Sequence, residues 1–141
     1  MPSSRLLAIC FLRCFAVACL AVLGSVSVSL AAESTFPFDK ELLLDVKPMK
    51  GSKRVPILGI GPKGETAIDL WCNSVEAQIV VVDSTITILT GQKTERQCDP
   101  ARMRGDDDLL AALQQVTNWR REGDVLMLRG GKTLRFRQPT N

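Results

Sequence analysis

Apolar and polar positions alternate through most of the chain at strand spacing, and a single segment carries a helical spacing. Leu42, Leu43, Leu44 and Val46 suggest a first strand ended by Lys47-Pro48. Val55 to Ile60 suggests a second, whose Pro56 has no N–H to offer a ladder and so fits a strand start or a sheet edge. Gly61-Pro62-Lys63-Gly64 is a turn signal, followed by a strand over Ala67–Cys72 and another over Glu76–Val82. Asp83-Ser84 then turns the chain into Thr85-Ile86-Thr87-Ile88-Leu89, whose period of two is that of a half-buried strand. Leu109, Leu110, Leu113 and Val116 fall on one face of a helix, with Asp106-Asp107-Asp108 expected at its start. One of those acids would cap the helix and the others would meet the positive end of its dipole. Three further strands are expected over Asn118–Arg121, Val125–Leu128 and Lys132–Arg137. Gly123-Asp124 would join the first two. Gly130-Gly131 would supply the positive backbone angles of a two-residue hairpin between the last two.

The first 31 residues follow a different pattern. Arg5 and Arg13 stand without an acid, Cys14 to Leu30 is almost uniformly apolar or small, and Ser29-Leu30-Ala31 places small residues before a cut between Ala31 and Ala32. A basic start, an apolar middle and a small-residue cleavage site make an export signal. The apolar run is short for a spanning helix and is interrupted by Gly24 and several serines. Ala16-Val17-Ala18-Cys19 loosely resembles a lipoprotein cleavage box, so the alternative is a lipid anchor at Cys19. Ala16 stands where a bulky aliphatic residue is usual, and apolar Leu20–Leu23 would follow the lipid, which favours cleavage after Ala31. The expectation is a periplasmic chain.

Export changes the reading of composition. Removing 31 of 141 residues leaves 110, one domain with room for a single core. The bases fall from 18 to 16 against 15 acids, so the net charge drops from +3 to +1. No basic field remains to argue for nucleic acid, and stacking rings are scarce, with five Phe, two Trp and no Tyr in the whole chain. Cys10, Cys14 and Cys19 leave with the leader, so Cys72 and Cys98 are expected to pair. The loop they close is worth about 3.5 kcal/mol in the chain-entropy model. A catalytic dithiol would need its cysteines close together at a helix start, and these are far apart and strand-flanked.

Candidate chemistry narrows further. Gly59-x-Gly61-x-x-Gly64 has the spacing of a dinucleotide fingerprint, but Pro62 and the absence of a following helical pattern make it a hairpin loop. The acid triplet lacks the alternating ligands and tight glycine turn of a calcium loop. The chain has no histidine, which removes the commonest general base, nucleophile activator and metal ligand together. A carboxylate pair could still catalyse hydrolysis, although the acids cluster at turns and at the expected helix start. No catalytic residue, cofactor or metal site is assigned.

Read in order, Cys72-Asn73, Thr94 to Cys98, the helix Leu109–Val116, Trp119, Glu122-Gly123-Asp124, Leu126-x-Leu128 and Leu134-x-Phe136-x-Arg137 resemble the META/HslJ-like family of small bacterial envelope domains. Trp71 replaces that family's Gly before Cys-Asn, and its N-terminal strand with a Trp is not recognisable in residues 36–60. The resemblance implies an α+β domain: a curved, mostly antiparallel, open barrel-like sheet packed with one main helix. It divides the chain into a signal peptide (1–31), divergent N-terminal strands (32–66), a family-like core (67–138) and a loose tail (139–141). Cys72, Asn73, Thr94, Cys98, Trp119, Gly123 and Asp124 are the motif positions it singles out. Members have been linked to stress or drug tolerance, and some folds are similar to lipid-binding secretion pilot proteins. The favoured class is a monomeric, non-enzymatic binding or envelope-maintenance module whose partner is an envelope protein or a lipid-like ligand. A structural or assembly role is the alternative, and a carboxylate hydrolase comes behind it. An apolar cavity inside the sheet would favour a lipid-like ligand, and a flat apolar patch a protein partner.

Overall fold

A computed structural model describes residues 35–140. The expected cleavage at Ala31-Ala32 and the lipid-anchor alternative at Cys19 lie outside these residues. Among them, eight strands and one helix follow in order: β1 (Lys40–Leu44), β2 (Ile57–Ile60), β3 (Glu65–Asp69), β4 (Ser74–Val82), β5 (Thr85–Thr90), α1 (Pro100–Gln114), β6 (Asn118–Glu122), β7 (Val125–Arg129) and β8 (Thr133–Arg137). Each strand pairs antiparallel with its sequence neighbour, and β8 returns to β1 through Leu43↔Arg137 and Leu44↔Phe136. The sheet is therefore a closed up-and-down barrel and not the open one expected. Closure removes the two free edges an open sheet would leave.

Alternation decides which side chains enter the barrel. In β3 the pattern is exposed, buried, exposed, buried, exposed, and in β5 Ile86 and Ile88 point inward between outward Thr85, Thr87 and Leu89. Leu42, Leu58, Ile68, Ile86, Leu126, Leu128 and Phe136 are almost completely removed from water, so the interior is filled by side chains. An eight-stranded barrel is just wide enough to be packed in this way. Buried Thr66 donates its hydroxyl to the Gly64 carbonyl at 2.9 Å, and no buried side-chain N or O among the described residues lacks a partner.

The helix lies across one end. In an up-and-down barrel alternate connections fall at the same end, which groups the β1–β2, β3–β4, β5–β6 and β7–β8 links. α1 belongs to the β5–β6 link and adds Leu109, Ala112 and Leu113 to the barrel's own core, joined by Val116. Strands β5 and β6 share a single pair, Thr85↔Asn118, and α1 packs beside the rest of β5.

Two local expectations are corrected. The helix starts at Pro100, not at the acid triplet: the Asp99 carboxylate caps it by accepting the Ala101 N–H at 2.8 Å, and proline, which has no N–H to leave unpaired, occupies the first turn. Asp106 consequently lies mid-helix and fully buried. The β7–β8 glycines are not in the left-handed region, which Gly51, Gly64 and Gly123 occupy instead. Gly130 and Gly131 are small because the end of the helix passes over them. A Cβ at Gly130 would stand 2.0 Å from the Gln115 carbonyl oxygen, and one at Gly131 2.2 Å from its side-chain oxygen.

Leu113→Ala should lower stability by about 2–5 kcal/mol, since the side chain is fully enclosed where helix meets barrel. Gly130→Ala should cost about 1–3 kcal/mol through overpacking against Gln115. Chemical denaturation of each variant beside the parent checks both.

Candidate functional site: a basic cleft at the disulfide end

The helix-covered end is organised by one carboxylate. Asp106 Oδ1 accepts the Trp71 N–H at 2.7 Å and the Cys72 N–H at 3.0 Å, while Oδ2 accepts the Asn73 N–H at 2.8 Å and its side-chain amide at 3.0 Å. Four donors from the β3–β4 turn thus converge on one buried anion of the helix. Burying a carboxylate is costly unless its lone pairs are filled, and here they are. The turn itself is closed by the Leu70 N–H donating to the Asn73 carbonyl at 2.8 Å.

Asn73 carries the link onward. Its Oδ1 accepts the Thr94 hydroxyl at 2.9 Å and the Arg96 N–H at 2.6 Å, and Thr94 Oγ1 accepts the Ser74 N–H at 3.1 Å. Cys72 is bonded to Cys98, with Cα atoms 6.1 Å apart. The segment from β5 to α1 is therefore stitched to the β3–β4 turn at Thr94, Arg96 and Cys98, directly before the Asp99 cap. The Lys93–Asp107 ion pair, whose aspartate is exposed, adds a further but weak tie.

Gly105 shows how the turn accommodates Trp71. A Cβ there would lie 2.8 Å from Trp71 Cδ1 and 2.4 Å from Met49 Cε, so the bare helix backbone receives both side chains. Met49 begins the loop through Gly51-Ser52-Lys53-Arg54, in which the Ser52 hydroxyl donates to the Arg54 carbonyl at 2.9 Å and accepts the Arg54 N–H at 3.2 Å. Between this loop, the β3–β4 turn and the start of α1 opens a cleft of about 390 Å³. Lys53, Arg54, Arg96 and Arg102 line it with Trp71, and Asp69 is the one acid among its lining residues.

The motif positions divide. Cys72, Asn73, Thr94 and Cys98 come together, and Cys72 and Asn73 form part of the cleft wall. Trp119 does not join them: its ring meets Phe36 edge-on with centroids 5.1 Å apart, and its indole N–H donates to the Asp83 carbonyl at 2.7 Å. Phe36, Phe38, Val81 and Trp119 border a separate open groove. Gly123 and Asp124 form the β6–β7 turn, where Gly123 takes a positive φ of 57° and the Asp124 carbonyl accepts the Gln138 N–H at 3.3 Å. Sequence reasoning missed Asp106 as an anchor and the four cations as a group. One signal for Asp106 was present, since it falls in line with Leu109 and Leu113 on the apolar face. Among the described residues no three His, Cys, Asp or Glu side chains are grouped to hold a metal, and no helix is long and apolar enough to cross a membrane.

Asp106→Asn keeps the size of the side chain but turns an NH2 group toward two N–H donors. It should cost about 2–5 kcal/mol, the price of leaving buried donors unpaired. Asp107→Asn should cost under about 1 kcal/mol, as the aspartate of this ion pair is exposed. Thermal midpoints of the two variants give the comparison.

The META domain model matches residues 42–141, beginning upstream of the motifs quoted above. No curated protein sequence matches the chain. A protein from Burkholderia xenovorans solved by NMR has a similar fold, with TM-score 0.59 and 18% identity over 74% of this chain and 84% of that one. A second NMR structure is similar at TM-score 0.57 and 17% identity, over 71% of this chain and 89% of its own. With the family model spanning the helix and all of the barrel but the first two residues of β1, this chain belongs to the META domain family.

Proposed function

We propose that this chain is an exported, non-enzymatic binding module that serves envelope maintenance under stress, working as a monomer in the periplasm after loss of residues 1–31. The observation that carries this reading is the contrast between a barrel filled with side chains and an open, rigidly framed cleft at its covered end. A filled interior leaves no internal chamber for a lipid chain, so the ligand must be met at the surface. Two of the cleft's walls, the β3–β4 turn and the β5–α1 link, are held by the disulfide and by Asp106 and Asn73, which pre-organises them and lowers the ordering cost of binding. Three of the acids already have structural partners, which supports a non-enzymatic reading: Asp106 accepts four N–H groups, Asp99 caps the helix, and Asp45 meets Arg135 and Arg137.

The test is to substitute each exposed Asp and Glu outside the cleft, and separately Arg96, and to score stress tolerance of cells beside the thermal midpoint. Arg96→Gln should reduce tolerance while its midpoint stays within about 2–4 °C of the parent. The acids should leave tolerance unchanged wherever the midpoint is unchanged. One acid outside the cleft whose loss removes tolerance at an unchanged midpoint would overturn the reading in favour of an enzyme. Loss of tolerance on changing Phe38 or Trp119, with Arg96→Gln silent, would favour the assembly role instead.

A further inference from the structure

The cleft is electrostatically unbalanced in a way that folding does not explain. Its four cations come from three separate segments: Lys53 and Arg54 from the β1–β2 loop, Arg96 from the β5–α1 link, and Arg102 from the first turn of α1. Among the described residues none of the four makes an ion pair or a side-chain hydrogen bond, although the backbones of Arg54, Arg96 and Arg102 are held. Elsewhere arginines do find carboxylates: Arg120 meets Glu122 at 3.2 Å, and Arg135 and Arg137 both reach Asp45, at 3.7 and 3.5 Å. Gathering like charges in one concavity opposes folding, and the single acid in the lining, Asp69, makes no ion pair with any of the four. Apart from the leader the chain is close to neutral, so this concentration is local.

Taking the binding-module reading further, we infer that the cleft binds a compact multivalent oxyanion of the phosphate or polycarboxylate class. Three planar guanidinium forks suit such oxygens, each able to give paired N–H bonds, and the lysine adds a point charge. The volume of about 390 Å³ fits a small ligand or one head group, not a polymer. Trp71 forms one wall and also borders a smaller depression with Leu44, Val46, Met49, Leu109 and Leu134. The anion can come free in solution or as the head group of an anionic lipid, and the chemistry of the cleft is the same for both.

Calorimetric titration of the full chain with pyrophosphate and with citrate at low ionic strength tests the site. A second arm measures sedimentation with phosphatidylcholine vesicles, with and without phosphatidylglycerol. Saturable binding of one anion per chain is expected, weakening as salt is added. Binding only to the anionic vesicles would identify the head group as the source. Arg96→Gln with Arg102→Gln should weaken binding about tenfold or more. Arg120→Gln with Arg129→Gln, removing equal charge from β6 and β7, should change it little. Lys53→Gln with Arg54→Gln, both on the exposed loop, gives the same readout should the first pair disturb the helix start. Absence of saturable binding in both arms, or equal loss in all three double variants, would overturn the inference. If binding fails while Arg96→Gln still lowers tolerance, the oxyanion falls and the binding module stands. If binding holds while no cleft variant alters tolerance, the site stands and the functional reading falls.

Discussion

One buried carboxylate couples the helix to the barrel. Asp106 takes four N–H groups from the β3–β4 turn, so the turn cannot keep its shape without the helix, nor the helix its seat without the turn. An unpaired carboxylate at that depth would be heavily penalised by desolvation. The four bonds convert that penalty into a requirement for one particular arrangement of helix and turn. The apolar contacts of Leu109, Ala112 and Leu113 supply the driving force for docking, but they are non-directional. Asp106 fixes where along the turn the helix stops.

The disulfide acts on the same turn by a different route. Cys72 to Cys98 restricts the unfolded chain, whereas the Asp106 bonds stabilise only the folded one. Between them stands Asn73, which donates to Asp106 and accepts from Thr94 and Arg96. The cleft inherits its rigidity from this arrangement. Arg96 leaves a backbone pinned by Asn73, and Arg102 projects from a helix whose start is pinned by Asp99 and Cys98.

Most strands were legible because a packed barrel imposes a period of two, and β3, β5 and β8 obey it residue by residue. The pairing of Cys72 with Cys98 was legible from their being the two cysteines left outside the apolar N-terminal stretch. Closure was not: it rests on two residue pairs between the first and last strands, and no local pattern encodes a contact that distant. The helix starts earlier than expected because an acid triplet satisfies the general rule for a first turn, and so does Asp99-Pro100 upstream, a capping acid followed by a proline. The position of Asp106 on the apolar face pointed the other way, since a capping acid has no reason to line up with Leu109 and Leu113. Gly130-Gly131 looked like turn chemistry but reflects the passage of Gln115 above it, which only the tertiary fold reveals. The cleft was invisible for a similar reason, its four cations being scattered from residue 53 to residue 102.

Amide hydrogen exchange in the oxidised protein tests the coupling of turn and helix most directly. The N–H groups of Trp71, Cys72 and Asn73 sit in a connection between strands, where amides ordinarily exchange fast. If Asp106 holds them, they exchange as slowly as those of Ile68 in β3 and Leu128 in β7, and open only when the barrel does. Rapid exchange at these three positions, with the strand amides still protected, would contradict the account and reduce Asp106 to a local contact.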